Sequence, residues 1–308
     1  MMKVAGGAIL VICLMLTGCD IDGFDQMSRV KEDFHYSYKL TPGGRLELEN
    51  FNGSVEITGW DKDTVEIDGT KHAPTRELLD AMKIDVSASP GVIRVRSVRP
   101  PERRGNMGVK YVLRVPRKVL LDRIVSSNGS IRVQSVEGSV RVKTSNGSVR
   151  ASNLKGDIDV TTSNGAVELA DFTGGAVLHT SNGSIRAQGV RGHFEAITSN
   201  GGIDVHVAEA SGWPIRAESS NGKIALTIDS LSNTGVRAST SNASITLRLP
   251  SSARAQVKAS TSNSSASSDF DIAARGTHSK NRLEGTIGSG GPLLDLSTSN
   301  GSIRIQKM

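Results

Sequence analysis

Aromatic residues and cysteine are both scarce in this chain of 308 residues. Only 4% of the residues are Phe, Trp or Tyr while 33 are Gly, which argues against a helical enzyme core and favours short strands joined by tight turns. The only cysteines are Cys13 and Cys19. Once the first leaves with an export sequence and the second carries lipid, no thiol remains, which excludes disulfides and cysteine metal sites.

A hydrophobic run long enough to span a membrane is also missing. The apolar stretch at 4–16 follows Lys3 and falls short of the roughly 20 residues that a spanning helix needs. Leu-Thr-Gly-Cys at 16–19 then matches a bacterial lipobox. Residues 1–18 are therefore predicted to be a lipoprotein signal peptide, and Cys19 the lipidated residue that anchors the protein to a membrane outside the cytoplasm.

The residues after the anchor bear on its location. Residues 19–38 predict a short polar tether. Asp20, directly after the cysteine, resembles the inner-membrane retention signal of enterobacteria-like systems. Where that rule applies, we expect the protein on the periplasmic face of the inner membrane; otherwise we expect it on the outer membrane or the cell surface.

Catalytic and metal-binding motifs are absent from the sequence. The six histidines show no metal-ligand spacing, and neither a nucleophile motif nor a phosphate-binding loop occurs. Asp157 and Asp159 occupy adjacent outward positions of one predicted strand, where a glycan-cleaving enzyme could place its acid and base, but we interpret them as a solvated turn entry. His193 and His206 are interpreted as exposed strand residues. The sequence thus predicts no cofactor, no metal and no enzyme activity.

What the chain has in abundance is glycine at a fixed spacing. The nine glycines lie nine residues apart at Gly129, Gly138, Gly147, Gly156, Gly165, Gly174, Gly183, Gly192 and Gly201. Such a strict period predicts a stacked repeat. Each unit begins Gly-x-apolar-x-apolar, which is the alternation of a half-buried strand.

A second period of eighteen residues lies over the first. Ser/Thr-Ser-Asn-Gly predicts one kind of corner, at Asn128, Gly129, Asn146, Gly147, Asn164, Gly165, Asn182, Gly183, Asn200 and Gly201. The motif recurs less regularly at Asn221, Asn242, Asn263 and Asn300. We therefore predict an all-β, β-helix-like solenoid with about 18–21 residues and two strands per coil, although the spacing also allows a three-sided coil. Asn-Gly is typical of turns that need a positive φ.

The corner residues predict columns along the solenoid axis. Thr144, Thr162, Thr180 and Thr198 would stack into a hydroxyl ladder beside asparagines whose side-chain amides bond to one another. We interpret both columns as structural. Residues 126–308 form the predicted repeat region, and residues 39–125, with longer strands and a short helix after Thr75, a β-rich N-terminal cap.

Positive charge concentrates in one segment. The chain carries a net charge of +6, but residues 94–123 hold ten bases against two acids. A local positive field suits an anionic partner such as an acidic envelope polymer or lipid headgroups, with candidate contacts at Arg94, Arg96, Arg103, Arg104, Arg114 and Arg117. The alternative is ordinary surface charge dispersed over several strands. An extracytoplasmic location argues against nucleic acid as a partner.

The order of motifs resembles a bacterial family of envelope-associated proteins, the putative-adhesin β-solenoid domains of unknown function. The resemblance covers roughly residues 38–308 and rests on Asn-Gly-Ser-Val-Glu-Ile-Thr-Gly-Trp-Asp at 52–61, Tyr-Val-Leu-Arg-Val-Pro at 111–116 and the final Thr-Ser-Asn-Gly-Ser-Ile-Arg-Ile at 298–305. It implies a solenoid without catalytic residues. We expect a binding or scaffolding surface on the cell envelope, in contact with an anionic polymer or another envelope protein. The alternatives are an enzyme or binding module for envelope polysaccharide, and an accessory to envelope stress signalling.

Overall fold

The computed structural model describes residues 30–101, 105–212, 214–231, 233–274 and 279–308. The predicted signal peptide and Cys19 lie outside these residues. Within them, none of the helical structure is long and apolar enough to span a bilayer. The predicted short helix is α1, Arg76–Ala81, and the side chain of Thr75 caps it by accepting a hydrogen bond from the Leu78 amide.

Short strands make up most of the described chain, as the glycine punctuation predicts. They are β1 Val30–Lys39, β2 Arg45–Asn50, β3 Val55–Trp60, β4 Thr64–Ala73, β5 Lys83–Ser89, β6 Val92–Val98, β7 Gly108–Pro116, β8 Leu120–Ser126, β9 Ile131–Glu137, β10 Val140–Thr144, β11 Val149–Lys155, β12 Ile158–Thr161 and β13 Val167–His179. The chain continues with β14 Ile185–Thr198, β15 Ile203–Ala210, β16 Ile215–Ser219, β17 Ile224–Ile228, β18 Val236–Thr240, β19 Ile245–Leu249, β20 Ala255–Thr261, β21 Ala266–Ser268, β22 Ile272–Ala274, β23 Arg282–Ile287, β24 Leu293–Thr298 and β25 Ile303–Lys307.

The strands stack into two ladders, and β13 and β14 run through both. The first ladder has the spatial order β1, β4, β7, β3, β9, β11, β13, β14, β15, β17, β19, β25, β21. The second has the order β5, β6, β2, β8, β10, β12, β13, β14, β16, β18, β24, β20, β23, β22. Pairing is parallel throughout the middle and antiparallel only at the ends, so the predicted all-β solenoid is confirmed.

The core is a thin layer of small apolar side chains that alternate with outward residues. The inward column that follows the Asn-Gly corners consists of Val133, Ala151, Leu169, Ala187 and Val205, all of which are buried. Strand register places these residues on successive rungs, so large and small side chains interlock along the axis. One coil alone buries too few of them to fold, and each rung depends on its neighbours.

Each regular coil has a bend inside its first-ladder strand as well as two corners. Ser135, Asn153, Asp171 and Gly189 adopt left-handed φ values of 57°, 53°, 51° and 67°. They lie eighteen residues apart, and the residue after each one is buried in the core. The coil is therefore more angular than a flattened two-strand loop, which brings it closer to the three-sided alternative.

Both ends of the solenoid are threaded out of chain order. The coil of β2 and β3 lies between the later β6–β7 coil and the β8–β9 coil. At the other end, the final β24–β25 coil lies between β18–β19 and β20–β21. The predicted boundary at 125/126 thus separates no cap from the repeats, because parallel stacking already begins at β2. Between β20 and β24 in the chain, β22 and β23 form an antiparallel end cover on the second ladder.

The first strand also corrects the predicted tether. Residues 30–38 belong to β1, which pairs antiparallel with β4, so a tether can extend only over 19–29. Phe34, Tyr36 and Tyr38 alternate along β1 and pack against the core. This aromatic stripe covers the end of the apolar layer that the first coils would otherwise expose to water.

The Asn-Gly corners need glycine for a different reason from the predicted one. Positive φ occurs at the other corners, at Gly138, Gly156, Gly174 and Gly192, and not at the predicted corner glycines Gly129, Gly147, Gly165, Gly183 and Gly201. At Gly165 an added Cβ would overlap the carbonyl oxygen of Gly147 on the preceding rung. Close approach of two backbones therefore selects glycine there, and the expectation of a positive φ was wrong.

Both predicted corner columns exist, and the hydroxyls have a specific role. Asn146 Nδ2 donates to Asn128 Oδ1 at 2.7 Å, and the same bond repeats rung by rung through Asn164, Asn182, Asn200, Asn221, Asn242, Asn300 and Asn263. Thr162 is buried; its Oγ1 donates to the Gly147 carbonyl at 3.2 Å and accepts from the Gly165 amide at 3.2 Å. Each hydroxyl thus satisfies two buried backbone groups.

Replacing Thr162 by valine is expected to lower the free energy of unfolding by about 2 kcal/mol, because it leaves a buried N–H and a buried C=O unpaired. Thr161→Val is the matched control, since Thr161 is the exposed neighbour on β12. Urea unfolding followed by circular dichroism measures both variants. Equal stability of the two would show that the hydroxyl column contributes nothing beyond side-chain packing.

Candidate functional site

The arginines predicted to contact an anionic partner are distributed over both ladders. Arg94 and Arg96 lie on β6 of the second ladder, whereas Arg114 lies on β7 of the first and Arg117 follows it. Arg103 and Arg104 lie outside the described residues. The described members of the set therefore do not form one patch.

Each of these four arginines faces a carboxylate. Arg94 Nε lies 2.9 Å from Glu47 Oε2, and Arg96 Nε lies 3.9 Å from Glu49 Oε2. The other two ion pairs are Arg114 with Glu66 and Arg117 with Asp61. The acids come from β2, β4 and the turn after β3, far away in sequence, so the fold pairs each of these four positive charges with an acid.

A groove in the second ladder is a concave site among the described residues. It runs along the solenoid axis over the residues that open successive second-ladder strands, and has a volume of about 420 Å³. Its lining includes Arg45, Leu120, Ser139, Asp157, Gly175 and His193. The last four follow the positive-φ glycine corners directly, which places them eighteen residues apart on neighbouring rungs.

One rung of the groove lacks an outward side chain. Register places Asp157 beside Gly175, and Gly175 beside His193, on three consecutive rungs. Because Gly175 has no side chain, a gap in this outward column separates Asp157 from His193, and the Asp157 carboxylate leans into it. A Cβ added at Gly175 would lie 2.9 Å from Asp157 Oδ1.

Ion pairs hold the polar walls in place. Asp122 is bound on both sides, by Arg45 Nη1 at 3.2 Å and by Arg141 Nη1 at 2.9 Å. Arg141 Nε also lies 3.9 Å from Asp159 Oδ2. These contacts restrict the side chains before any ligand arrives, which lowers the entropy cost of binding.

Two groups in the groove retain hydrogen-bonding capacity. Asp157 Oδ1 accepts one bond, from the Gly175 amide at 3.2 Å, which leaves most acceptor positions of that carboxylate open. His193 is half-buried, and its Nδ1 is shielded from solvent without a hydrogen-bond partner in the described structure. The interpretation of His193 as a simply exposed residue was therefore wrong. His206 differs, because its Nε2 lies 2.8 Å from Asp229 Oδ2.

The two aspartates of the groove differ from a typical catalytic acid in their exposure. Asp157 and Asp159 are both exposed, whereas a catalytic acid typically sits in a desolvated pocket. No set of three or more His, Cys, Asp or Glu in the described ranges could hold a metal ion. Sequence reasoning could have found the column of Ser139, Asp157, Gly175 and His193 from its eighteen-residue spacing. Arg45 and Leu120 extend that column only because β2 lies next to β8 at the N-terminal end of the solenoid.

Two hydrogen-bonded pairs elsewhere in the solenoid have shifted pKa values. Hydrogen bonds from Arg216, at 2.8 and 2.9 Å, lower the pKa of Glu218 farther along the second ladder. Burial raises the pKa of Tyr111, whose hydroxyl lies 2.7 Å from Ser97 Oγ at the N-terminal end. Both pairs belong to structural networks and do not mark a reactive centre.

Comparison with known proteins connects the fold to a family. The model of the family described as Toastrack DUF4097 matches residues 44–306. A solved structure of a "putative adhesin" from Parabacteroides merdae is 10% identical, with a TM-score of 0.51 over 89% of this chain and 96% of that one. A "putative adhesin" from Bacteroides fragilis is 13% identical, with a TM-score of 0.41 over 90% and 97%. No curated protein matches the chain. At these identities the structural likeness shows the fold alone.

Proposed function

The chain belongs to the Toastrack DUF4097 family, and from that premise we propose that it is a non-catalytic, lipid-anchored cell-envelope protein that offers its solenoid as a binding or scaffolding surface. The observation that carries the proposal is the stack itself. Rung after rung is fixed by backbone ladders and by the asparagine and threonine columns, while outward side chains remain accessible in long rows. A rigid, regularly spaced surface serves recognition better than turnover.

The size of the stack favours a partner near the anchor. The first ladder holds thirteen strands, and its twelve intervals at roughly 4.8 Å per rung amount to roughly 58 Å. Such a body is too short to reach a second cell. The adhesin names of the solved relatives agree with a binding role outside the cytoplasm, and the lipobox at 16–19 supplies the anchor.

Cys19→Ala is expected to move the protein from the membrane fraction to the soluble extracytoplasmic fraction, because no lipid can then be attached. Fractionation of cells that express either form, with detection by immunoblot and labelling with a fatty-acid analogue, measures the change. Cys13→Ala is the matched control, since it alters a cysteine inside the predicted signal peptide and should leave lipidation intact. Sedimentation of the Cys19 variant with membranes would refute the anchor.

A further inference from the structure

We propose that the groove over Gly175 binds a neutral, hydroxyl-rich glycan lying along the solenoid axis. The inference names a ligand class for the binding role proposed above, and it rests on that role. The residues that carry it are Asp157, His193 and Arg141 with the gap between them, and no catalytic step is involved.

The direction of the groove suits a linear polymer. The lining residues nearest the corners form one column across six rungs. They are Arg45, Leu120, Ser139, Asp157, Gly175 and His193. Five intervals at roughly 4.8 Å give a length of roughly 24 Å, enough for several sugar rings. The groove is open to solvent, so a polymer can enter from the side and extend beyond both ends.

The charges of the walls select against a charged ligand. Three carboxylates, those of Asp122, Asp157 and Asp159, face two guanidinium groups, those of Arg45 and Arg141. A polyanion would meet the aspartates and a polycation would meet the arginines, and either would compete with existing ion pairs. Sugar hydroxyls both donate and accept, so they can use both kinds of wall without breaking those pairs.

The floor of the groove offers apolar side chains to the face of a sugar ring. Leu120 is 37% exposed, one of the few large apolar side chains at the described surface, and Val177 is half-buried next to Asp159 and Gly175. Val177 can contact the C–H groups of a ring over the flat Gly175 backbone, and Leu120, three rungs away, can contact those of another ring of the same polymer. The open acceptor positions of the Asp157 carboxylate flank that position and can accept hydrogen bonds from ring hydroxyls.

Isothermal titration of the purified full-length mature protein tests the proposal. The neutral probes are a hexamer of N-acetylglucosamine, maltohexaose and xylohexaose; polygalacturonate and spermidine are the charged probes. We expect at least one neutral probe to bind and both charged probes to fail. Asp157→Asn should weaken binding about tenfold, the effect of losing one charge-assisted hydrogen bond.

Gly175→Val fills the gap and should weaken binding at least as strongly. Valine suits a strand, and the nearest atom to the new Cβ is the end of a side chain, so the fold should persist; a thermal melt checks this. Asp204→Asn is the matched control, the same change at an exposed residue of β15 on the first ladder. Failure of all neutral probes, binding unchanged by Gly175→Val and Asp157→Asn, or binding of a charged probe instead would each overturn the inference. Cell fractionation of the Cys19 variant tests the lipid anchor separately, so the anchor and the glycan-binding groove can fail independently.

Discussion

Deleting residues 289–308 is expected to disorder the C-terminal third of the solenoid and not only its last coil. The deleted β24 and β25 lie between β18–β19 and β20–β21, so their loss separates two coils that do not otherwise pair. Leu294, Leu296, Ile303 and Ile305 are fully buried, and at about 2 kcal/mol each they account for about 8 kcal/mol of apolar burial. That figure is comparable to the whole stability of a typical domain.

The exposed ends of the truncated protein should also associate, because two unpaired strand edges and their apolar faces become accessible. Limited proteolysis with mass spectrometry measures the first effect, with new cleavage expected at 250–288, and light scattering measures the second. A shorter deletion of residues 306–308 is the control, since these residues are largely exposed. If the longer deletion melts within a few degrees of the intact protein and resists protease, the threading of the final coil is wrong.

Gly165→Ala is expected to lower the free energy of unfolding by about 3 kcal/mol or more, the upper range for overpacking a tight site. The new Cβ would overlap the Gly147 carbonyl, and backbone atoms cannot move aside as a side-chain tip can. Shifting one rung would disturb the neighbouring hydrogen bonds of Thr162 and Asn164 as well. The variant should therefore lose stability far beyond the usual cost of alanine at a surface turn.

Gly202→Ala is the control for this substitution. Gly202 is at the same type of corner, but there an added Cβ meets nothing closer than the Lys223 carbonyl oxygen at 3.3 Å, so little change is expected. The chain itself has Ala243 after Asn242, in a coil of 21 residues, where the corner accommodates a side chain. Urea midpoints of the two variants compare the sites. Equal midpoints would mean that the eighteen-residue coils can widen in the same way, and the crowding argument would fail.

Part of the candidate site was accessible from the periodicity and part was not. The eighteen-residue column through Ser139, Asp157, Gly175 and His193 can be read from the chain, yet nothing local marks Gly175 as a gap and not merely another small outward residue. For the basic segment at 94–123, the sequence instead suggested more unpaired positive charge than the fold has. Its arginines look unbalanced along the chain, but Glu47 and Glu66 arrive from other rungs to face Arg94 and Arg114.

The sequence by itself determined the repeat: the coil length, the inward columns, and the asparagine, threonine and glycine positions at each corner. These features are local and periodic, so alternation and spacing are sufficient to predict them. Only the tertiary structure decided which coil neighbours which. Every coil offers nearly the same backbone hydrogen bonds and the same small apolar faces, so periodicity carries no information about order. The end strands, with β1 at one end and the antiparallel β22 and β23 at the other, fix that order by covering edges that water would otherwise reach.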